Sequence, residues 1–198
     1  PCGLSSRDRL IDAFEAALDG DSISAFGGII ASNRPIDRET AERISENFYE
    51  IVIAPGFDED ALGILKKKKN LRLLEMGPPT PPPTSLDIRS IRGAFLMQTS
   101  DSLNDGDWKI VTDQQPTEKE LEDLKFAWKA IRHVKSNAII VVKDRSIKGM
   151  GAGQPNRLVS VELAINKAGP TGTKGAVLAS DAFFPFADGL ELALDAGI

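Results

Sequence analysis

Residues 180 to 188 read Ser-Asp-Ala-Phe-Phe-Pro-Phe-Ala-Asp, which sets three of the chain's nine phenylalanines around one proline and between two carboxylates. Pro185 removes a backbone donor, fixes its own φ and biases Phe184 away from the α region, so the segment is expected to be a shaped turn. Such a turn can present Phe183, Phe184 and Phe186 to a flat ligand, with Asp181 and Asp188 at the rim. It can equally plug a core, since phenylalanine is more often buried than stacked on a ligand.

Three other places have chemical potential. Ser24-Ala25-Phe26-Gly27-Gly28 offers adjacent glycines before a strand, suited to a positive φ, a close ligand approach or a plain turn. Lys135-Ser136-Asn137 could fix an amide, but Asn and Ser also end helices, and Asn137 precedes its strand where α/β ligands gather at strand carboxyl ends. Gly149-Met150-Gly151-Ala152-Gly153-Gln154-Pro155-Asn156-Arg157 runs into a helix and brings bare N–H groups and an arginine together. That suits a phosphate or carboxylate, or a tight structural connection. His133, the only histidine, falls at a helix end, where a surface role is expected.

The elements that must position these groups alternate. Ser5 or Ser6 is expected to cap a helix through Leu10, Ile11, Phe14, Ala17 and Leu18, ended by Gly20. A strand follows at 28–31, a helix from Asp37 to about Asn47, and a buried strand at 50–54 stopped by Pro55-Gly56. Asp58-Glu59-Asp60 and Lys66–Lys69 complement the two ends of the next helix, and the lysines read as a solvated face. A short strand at 71–75 leads to the proline-rich loop. One strand is then expected around 91–98, followed by a polar loop at 100–107. Thr117 and Glu120 form a capping box for the longest helix, with Leu121, Leu124, Trp128 and Ile131 as its buried stripe. Residues 138–143 (AIIVVK) read as a central strand turning at Asp144-Arg145 into another. A helix over about 156–168 and a last strand at 175–179 lead to the aromatic segment. The fold class is therefore α/β, with residues 1–76 as a first lobe, 77–87 as the loop and 88–198 as a second lobe.

Composition narrows the function. With 41% hydrophobic and 27% charged residues and a net charge of −5, the chain reads as an ordinary globular protein rather than a nucleic-acid surface. One cysteine, Cys2, excludes an internal disulfide framework or a cysteine-rich metal site. No membrane span or signal peptide is legible, so a cytoplasmic setting is expected. The start at Pro1 without methionine reads as a segment of something longer.

Seven motifs now stand in order: Pro1-Cys2-Gly3, Ser24–Gly28, Ile53-Ala54-Pro55-Gly56, Lys67-Lys68-Lys69-Asn70, Lys135-Ser136-Asn137-Ala138, Gly151-Ala152-Gly153-Gln154 and Ser180–Phe186. Their order and spacing resemble the transformylase domain of the bifunctional purine-biosynthesis family, AICAR transformylase joined to IMP cyclohydrolase. The resemblance implies two cytidine-deaminase-like lobes with mixed sheets covered by helices. It also implies formyl transfer from the co-substrate 10-formyltetrahydrofolate to aminoimidazole carboxamide ribonucleotide, without a metal, in a homodimer whose active sites lie between subunits. By motif, Gly27, Asn137, Arg157 and Phe183 fall on the nucleotide, as does Glu50, where some members carry aspartate. Phe26, Ala182, Pro185, Phe186 and Asp188 fall on the folate, as does Leu158, where some carry isoleucine.

The amine of an imidazole carboxamide is a weak nucleophile, so the reaction needs orientation, a base and a cation for the tetrahedral oxyanion. Phe183 and Asn137 can supply orientation. In the family the base and cation are a lysine and histidine in Lys-His-Ala-Asn directly before Pro-Cys-Gly. The expectation is a fragment that keeps the binding walls, has no catalytic residue of its own and is inactive alone. Two other readings stay open: a non-catalytic nucleotide- or folate-binding module, and a dimerisation module.

Overall fold

A computed structural model of the chain describes residues 3–77, 86–101 and 108–198. Three sheets organise it: a parallel one, an antiparallel one and a two-stranded hairpin. The α/β class holds, but no single sheet mixes strand directions among the described residues.

The parallel sheet is β1 (Ile29–Ala31), β2 (Ile51–Ala54) and β3 (Arg72–Glu75), in that order, connected through α2 (Arg38–Ser45) and α3 (Glu59–Leu65). Asp37 caps α2, its side chain accepting the Thr40 N–H at 2.8 Å. Ile36, Ala41, Ile44, Val52, Ala54, Ala61 and Leu65 form one buried cluster. Val52 and Ala54 face it, while Ile51 and Ile53 alternate to a less covered side, so β2 is buried on one face rather than both.

The amino-terminal helix, α1 (Leu10–Asp19), starts later than a Ser5 or Ser6 cap requires: Arg9 holds the cap position without a side-chain hydrogen bond. Residues 4–6 are extended instead. The Ile147 N–H donates to the Leu4 carbonyl at 3.0 Å and the Ser6 N–H to the Arg145 carbonyl at 2.9 Å, with Ser5 bridging Ser146. This backbone pairing holds residues 4–6 against residues 145–147, so the helix begins only beyond them. This stretch, expected in the first lobe, thus lies on the second sheet.

The hairpin joins β4 (Leu86–Ile91) to β5 (Ala94–Thr99). It replaces the single strand expected at 91–98, because Arg92-Gly93 makes a two-residue turn with Gly93 at φ 78°. Leu86 and Asp87 consequently belong to a strand, not to the proline loop. The rest of that loop beyond Gly77, most of the loop expected at 100–107, and Cys2 lie outside the described residues.

The antiparallel sheet has order β7-β6-β8, from β6 (Ile139–Lys143), β7 (Ser146–Gly151) and β8 (Val177–Ser180). Its central strand is covered on both faces, which is why it reads as an unbroken apolar run. Ile140 and Val142 pack with Ala127, Ala130 and Ile131 of α4 (Glu118–Ile131). Ile139 and Val141 pack with Val161 and Ala164 of α5 (Arg157–Thr173) and Ala193 of α6 (Asp188–Asp195). Each of these fully buried branched side chains contributes about 1.5–3 kcal/mol.

The capping box is present, with the Glu120 N–H donating to Thr117 Oγ1 at 3.2 Å and the Thr117 N–H to Glu120 Oε2 at 2.7 Å. The buried stripe of α4 is narrower than expected. It runs through Asp123, Ala127, Ala130 and Ile131, with Leu121 and Leu124 half-buried, while Trp128 turns outward at 47% exposure against the edge of Trp108. Small alanines let the helix approach the sheet closely, and the indole has no room there. Asp123 is buried because its carboxylate accepts the N–H groups of Asp144 at 3.0 Å and Arg145 at 2.6 Å. Those two residues make the β6–β7 turn with φ of 52° and 50°.

The helix expected at 156–168 ends where Gly169 leaves helical geometry at φ 64°, before Pro170 starts a second helical stretch. Helix α6 is an element beyond those expected from the sequence. It begins inside the aromatic segment, at Asp188-Gly189.

Candidate functional site

One end of the antiparallel sheet gathers the start of β6 and the carboxyl ends of β7 and β8. Asn137 therefore sits among strand carboxyl ends after all, because its two neighbours run opposite to its own strand. The amino end of α5 points to the same place, and its first residue is Arg157.

Arg157 is the hub. Its Nη2 donates to Asn137 Oδ1 at 2.8 Å, and its Nη1 donates to Ser180 Oγ at 2.8 Å and to Asp181 Oδ1 at 2.5 Å. Asn137 is fixed in turn. Its Nδ2 donates to the Gln154 carbonyl at 2.8 Å, and its own carbonyl accepts the Ser160 hydroxyl at 2.9 Å. Asp181 Oδ1 also accepts the Ala138 N–H at 2.9 Å. Burial pushes the Asp181 carboxyl up. Hydrogen bonds from Ser136, Arg157 and the Ala138 N–H, with the Arg157 charge, more than offset that and hold it below its ordinary value.

A hollow of about 520 Å³ opens beside this network, walled by Asn137, Arg157, Leu158, Phe183, Pro185 and Phe186, with Asp188 among its lining. Phe183 and Phe186 stand out at 81% and 73% exposure. Phe184 turns the other way and packs on the core of α5 and α6, as the plug of the turn. Of the two carboxylates expected at the rim, Asp181 points inward to Arg157 and Asp188 begins α6, accepting the Gly189 N–H at 2.7 Å. Ala182 is exposed at the turn, its carbonyl accepting the Ser180 hydroxyl at 2.7 Å.

Gly149 and Gly151 let β7 pack closely against α5. A Cβ at Gly149 would stand 1.9 Å from the Ala164 carbonyl oxygen, and one at Gly151 2.0 Å from that of Ser160. Helix α5 therefore lies directly on β7, and both glycines sit in the β6–β7 ladder. Only Gly153, at φ 67°, makes a turn, its N–H donating to the Lys135 carbonyl at 2.7 Å.

Phe26, Gly27 and Glu50 form a second cluster at the amino ends of β1 and β2. The Gly27 N–H donates to the Phe48 carbonyl at 2.9 Å and the Glu50 N–H to the Gly28 carbonyl at 3.0 Å. Phe26 lies against Phe48 with ring centroids 5.5 Å apart. None of the three lines the 520 Å³ hollow. His133 lies outside it as well. Among the described residues no group of three or more His, Cys, Asp or Glu is placed to hold a metal ion. No helix among them is long and apolar enough to cross a membrane.

The inward role of Asp181 and the parts of Gln154 and Ser160 in holding Asn137 are not legible in the sequence. Asp181 and Gln154 lie within motifs and Ser160 just beyond one, but a carboxylate, hydroxyl or amide looks alike in sequence whether it faces water or a neighbour.

Fold and site together define an α/β protein whose hollow sets a fixed amide and guanidinium beside exposed aromatic faces. The family described as the AICARFT/IMPCHase bienzyme matches residues 1–167, and the chain belongs to that family. The bifunctional purine biosynthesis protein PurH of Caldicellulosiruptor saccharolyticus is 49% identical over 199 residues, covering all of this chain and 39% of that protein. PurH of Lactobacillus acidophilus is 50% identical over 201 residues, with the same shares covered. The PurH of Oceanobacillus iheyensis is 48% identical over 200 residues. The chain thus spans 39% of the length of these relatives.

Proposed function

We propose that this chain forms ligand-binding walls of an AICAR transformylase, acting in purine biosynthesis as part of a bifunctional enzyme that is also an IMP cyclohydrolase. The reaction moves the formyl group of 10-formyltetrahydrofolate to the amine of aminoimidazole carboxamide ribonucleotide. The amine nitrogen attacks the formyl carbon, a tetrahedral oxyanion forms, the bond to the folate nitrogen breaks, and that nitrogen takes a proton as the amine loses one. The observation that carries the reading is the Asn137–Arg157 pair, 2.8 Å apart beside exposed Phe183 at the hollow.

In this reading Phe183 stacks on the imidazole while Asn137 and Arg157 orient its polar groups, with Gly27 and Glu50 also on the nucleotide. Leu158, Ala182, Pro185, Phe186, Asp188 and Phe26 take the folate. The separation of the Phe26–Gly27–Glu50 cluster from the hollow supports a homodimer, in which one chain's cluster serves the other's hollow. The same reading takes the lobes as cytidine-deaminase-like and the setting as cytoplasmic.

Calorimetric titration of the 198-residue chain with the ribonucleotide and with a non-reactive folate analogue tests it. Phe183→Ala is expected to weaken nucleotide binding about tenfold or more, the usual worth of one aromatic stack. Unchanged affinity would remove Phe183 from the site. A second reading, an assembly module, is favoured by the β4–β5 hairpin, every strand residue of which is exposed. It predicts that Phe183→Ala weakens self-association and leaves ligand affinity alone, as sedimentation beside calorimetry would show.

A further inference from the structure

We propose that Asp181 is a positioning residue for ligand binding: it locks the Arg157 guanidinium against Asn137 and joins the aromatic turn to the start of β6. The inference rests on the functional reading above for the identity of the ligand, but its geometry does not.

Three constraints meet on this carboxylate. Arg157 Nη1 donates to Oδ1 at 2.5 Å, and the Ala138 N–H donates to the same oxygen at 2.9 Å. The Asp181 N–H donates back to the Ala138 carbonyl at 3.2 Å. Asp181 therefore sits two residues before Phe183 and bonds to the residue after Asn137, fixing the spacing between ring and amide. Both members of the ion pair are shielded, with side-chain exposures of 11% for Arg157 and 16% for Asp181. Shielding makes the pair geometrically decisive, because an arginine without its carboxylate would swing toward water and leave a charge poorly solvated.

With Nη1 committed to Ser180 and Asp181, and one Nη2–H to Asn137, the guanidinium keeps Nε–H and one Nη2–H without a partner among the described residues. Those are the donors a ligand in the hollow can use. Their direction is set by Asp181, since a planar guanidinium held at two points has no remaining rotation. The carboxylate itself is occupied and touches no reacting atom, so its role is orientation rather than proton transfer.

A double-mutant cycle on the 198-residue chain decides the matter, with ribonucleotide affinity read by calorimetry for wild type, Asp181→Ala, Arg157→Ala and the double variant. The expected result is a loss of about tenfold to a hundredfold for Asp181→Ala that nearly vanishes in the Arg157→Ala background. An equal loss in both backgrounds, or none in either, overturns the proposal. Asp181→Asn, which keeps an acceptor oxygen but not the charge, is expected to lose less than Asp181→Ala, and equality of the two would also count against it. If wild type binds no ribonucleotide, the functional reading fails, and the positioning role is then judged by NMR of the Arg157 side chain. Its slowly exchanging Nη protons are expected in wild type and lost in Asp181→Ala, while their persistence in the variant overturns the proposal.

Discussion

The Phe184 ring lies so close to Gly189 that a Cβ on the glycine would stand 2.8 Å from its edge and 3.4 Å from a methyl of Val161. The start of α6 thus seats the one phenylalanine of the turn that faces inward, and so sets where Phe183 and Phe186 project. Gly189→Ala is expected to destabilise the chain by about 1–3 kcal/mol, the common cost of overpacking. Thermal unfolding measures it, and nucleotide affinity should fall in the same variant because the turn must move. A change in stability with no change in affinity would detach Phe184 from the site.

Asp123 holds the β6–β7 turn through two backbone N–H groups whose residues both sit at positive φ. Removing the carboxylate leaves two shielded donors without an acceptor. Asp123→Ala should cost about 2–4 kcal/mol in urea unfolding. Replacing Arg145 by glycine in that background should recover part of the loss, since the turn would no longer need to be forced.

Acid sensitivity follows from Asp21. Its carboxyl is held at about 2 against an ordinary 3.8, first by the Lys167 hydrogen bond and then by the N–H and hydroxyl of Ser24, with burial opposing. The folded value is depressed, so this stabilisation is complete above the unfolded value near 3.8 and fades as pH falls toward 2. Lys167→Met should be less stable than wild type at pH 6, with the gap closing between about pH 4 and 2. A gap constant across that window in denaturant titrations would show that the ion pair contributes nothing.

The two roles found within the glycine run separate by substitution. Gly151→Ala drives a methyl into the Ser160 carbonyl, whereas Gly153→Ala meets only the Lys135 side chain at 3.7 Å and the strain of φ 67°. The first should prevent stable folding, while the second should cost about 1–2 kcal/mol. Circular dichroism and thermal unfolding distinguish them, and comparable losses would contradict the packing assigned to β7.

Catalysis makes a separate prediction. The 198-residue chain assayed alone should transfer no formyl group above background, while a longer chain carrying the Lys-His pair expected upstream should turn over. Robust activity in the short chain would mean that a base and a cation lie among its own residues.

What the sequence made legible was governed by local signals strong enough to survive tertiary context. The run Ile139–Val142 announced a doubly covered strand, and Thr117 with Glu120 announced a helix start, because each depends on near neighbours. Arg92-Gly93 carries a weak turn signal because arginine is an unusual turn residue, so the hairpin resembles one strand in sequence. The run from Gly149 to Arg157 leaves a ligand contact and a tight structural connection equally open, because bare backbone looks the same whether a ligand or a helix approaches it. Asp181 looked like a rim carboxylate for a similar reason: its partners, Arg157 and Ala138, are 24 and 43 residues away.

The pairing of Leu4–Ser6 with β7 has a temporal side. The Ile147 N–H closes on Leu4, so the edge of the antiparallel sheet is completed by residues made well before the strand they pair with. At about 5–20 residues per second, the first stretch waits on the order of ten seconds for its partner. Until then it is an unpaired extended segment, open to contacts with other chains. Contacts this distant in sequence slow folding, which makes the closing of this edge a natural point of competition between folding and aggregation.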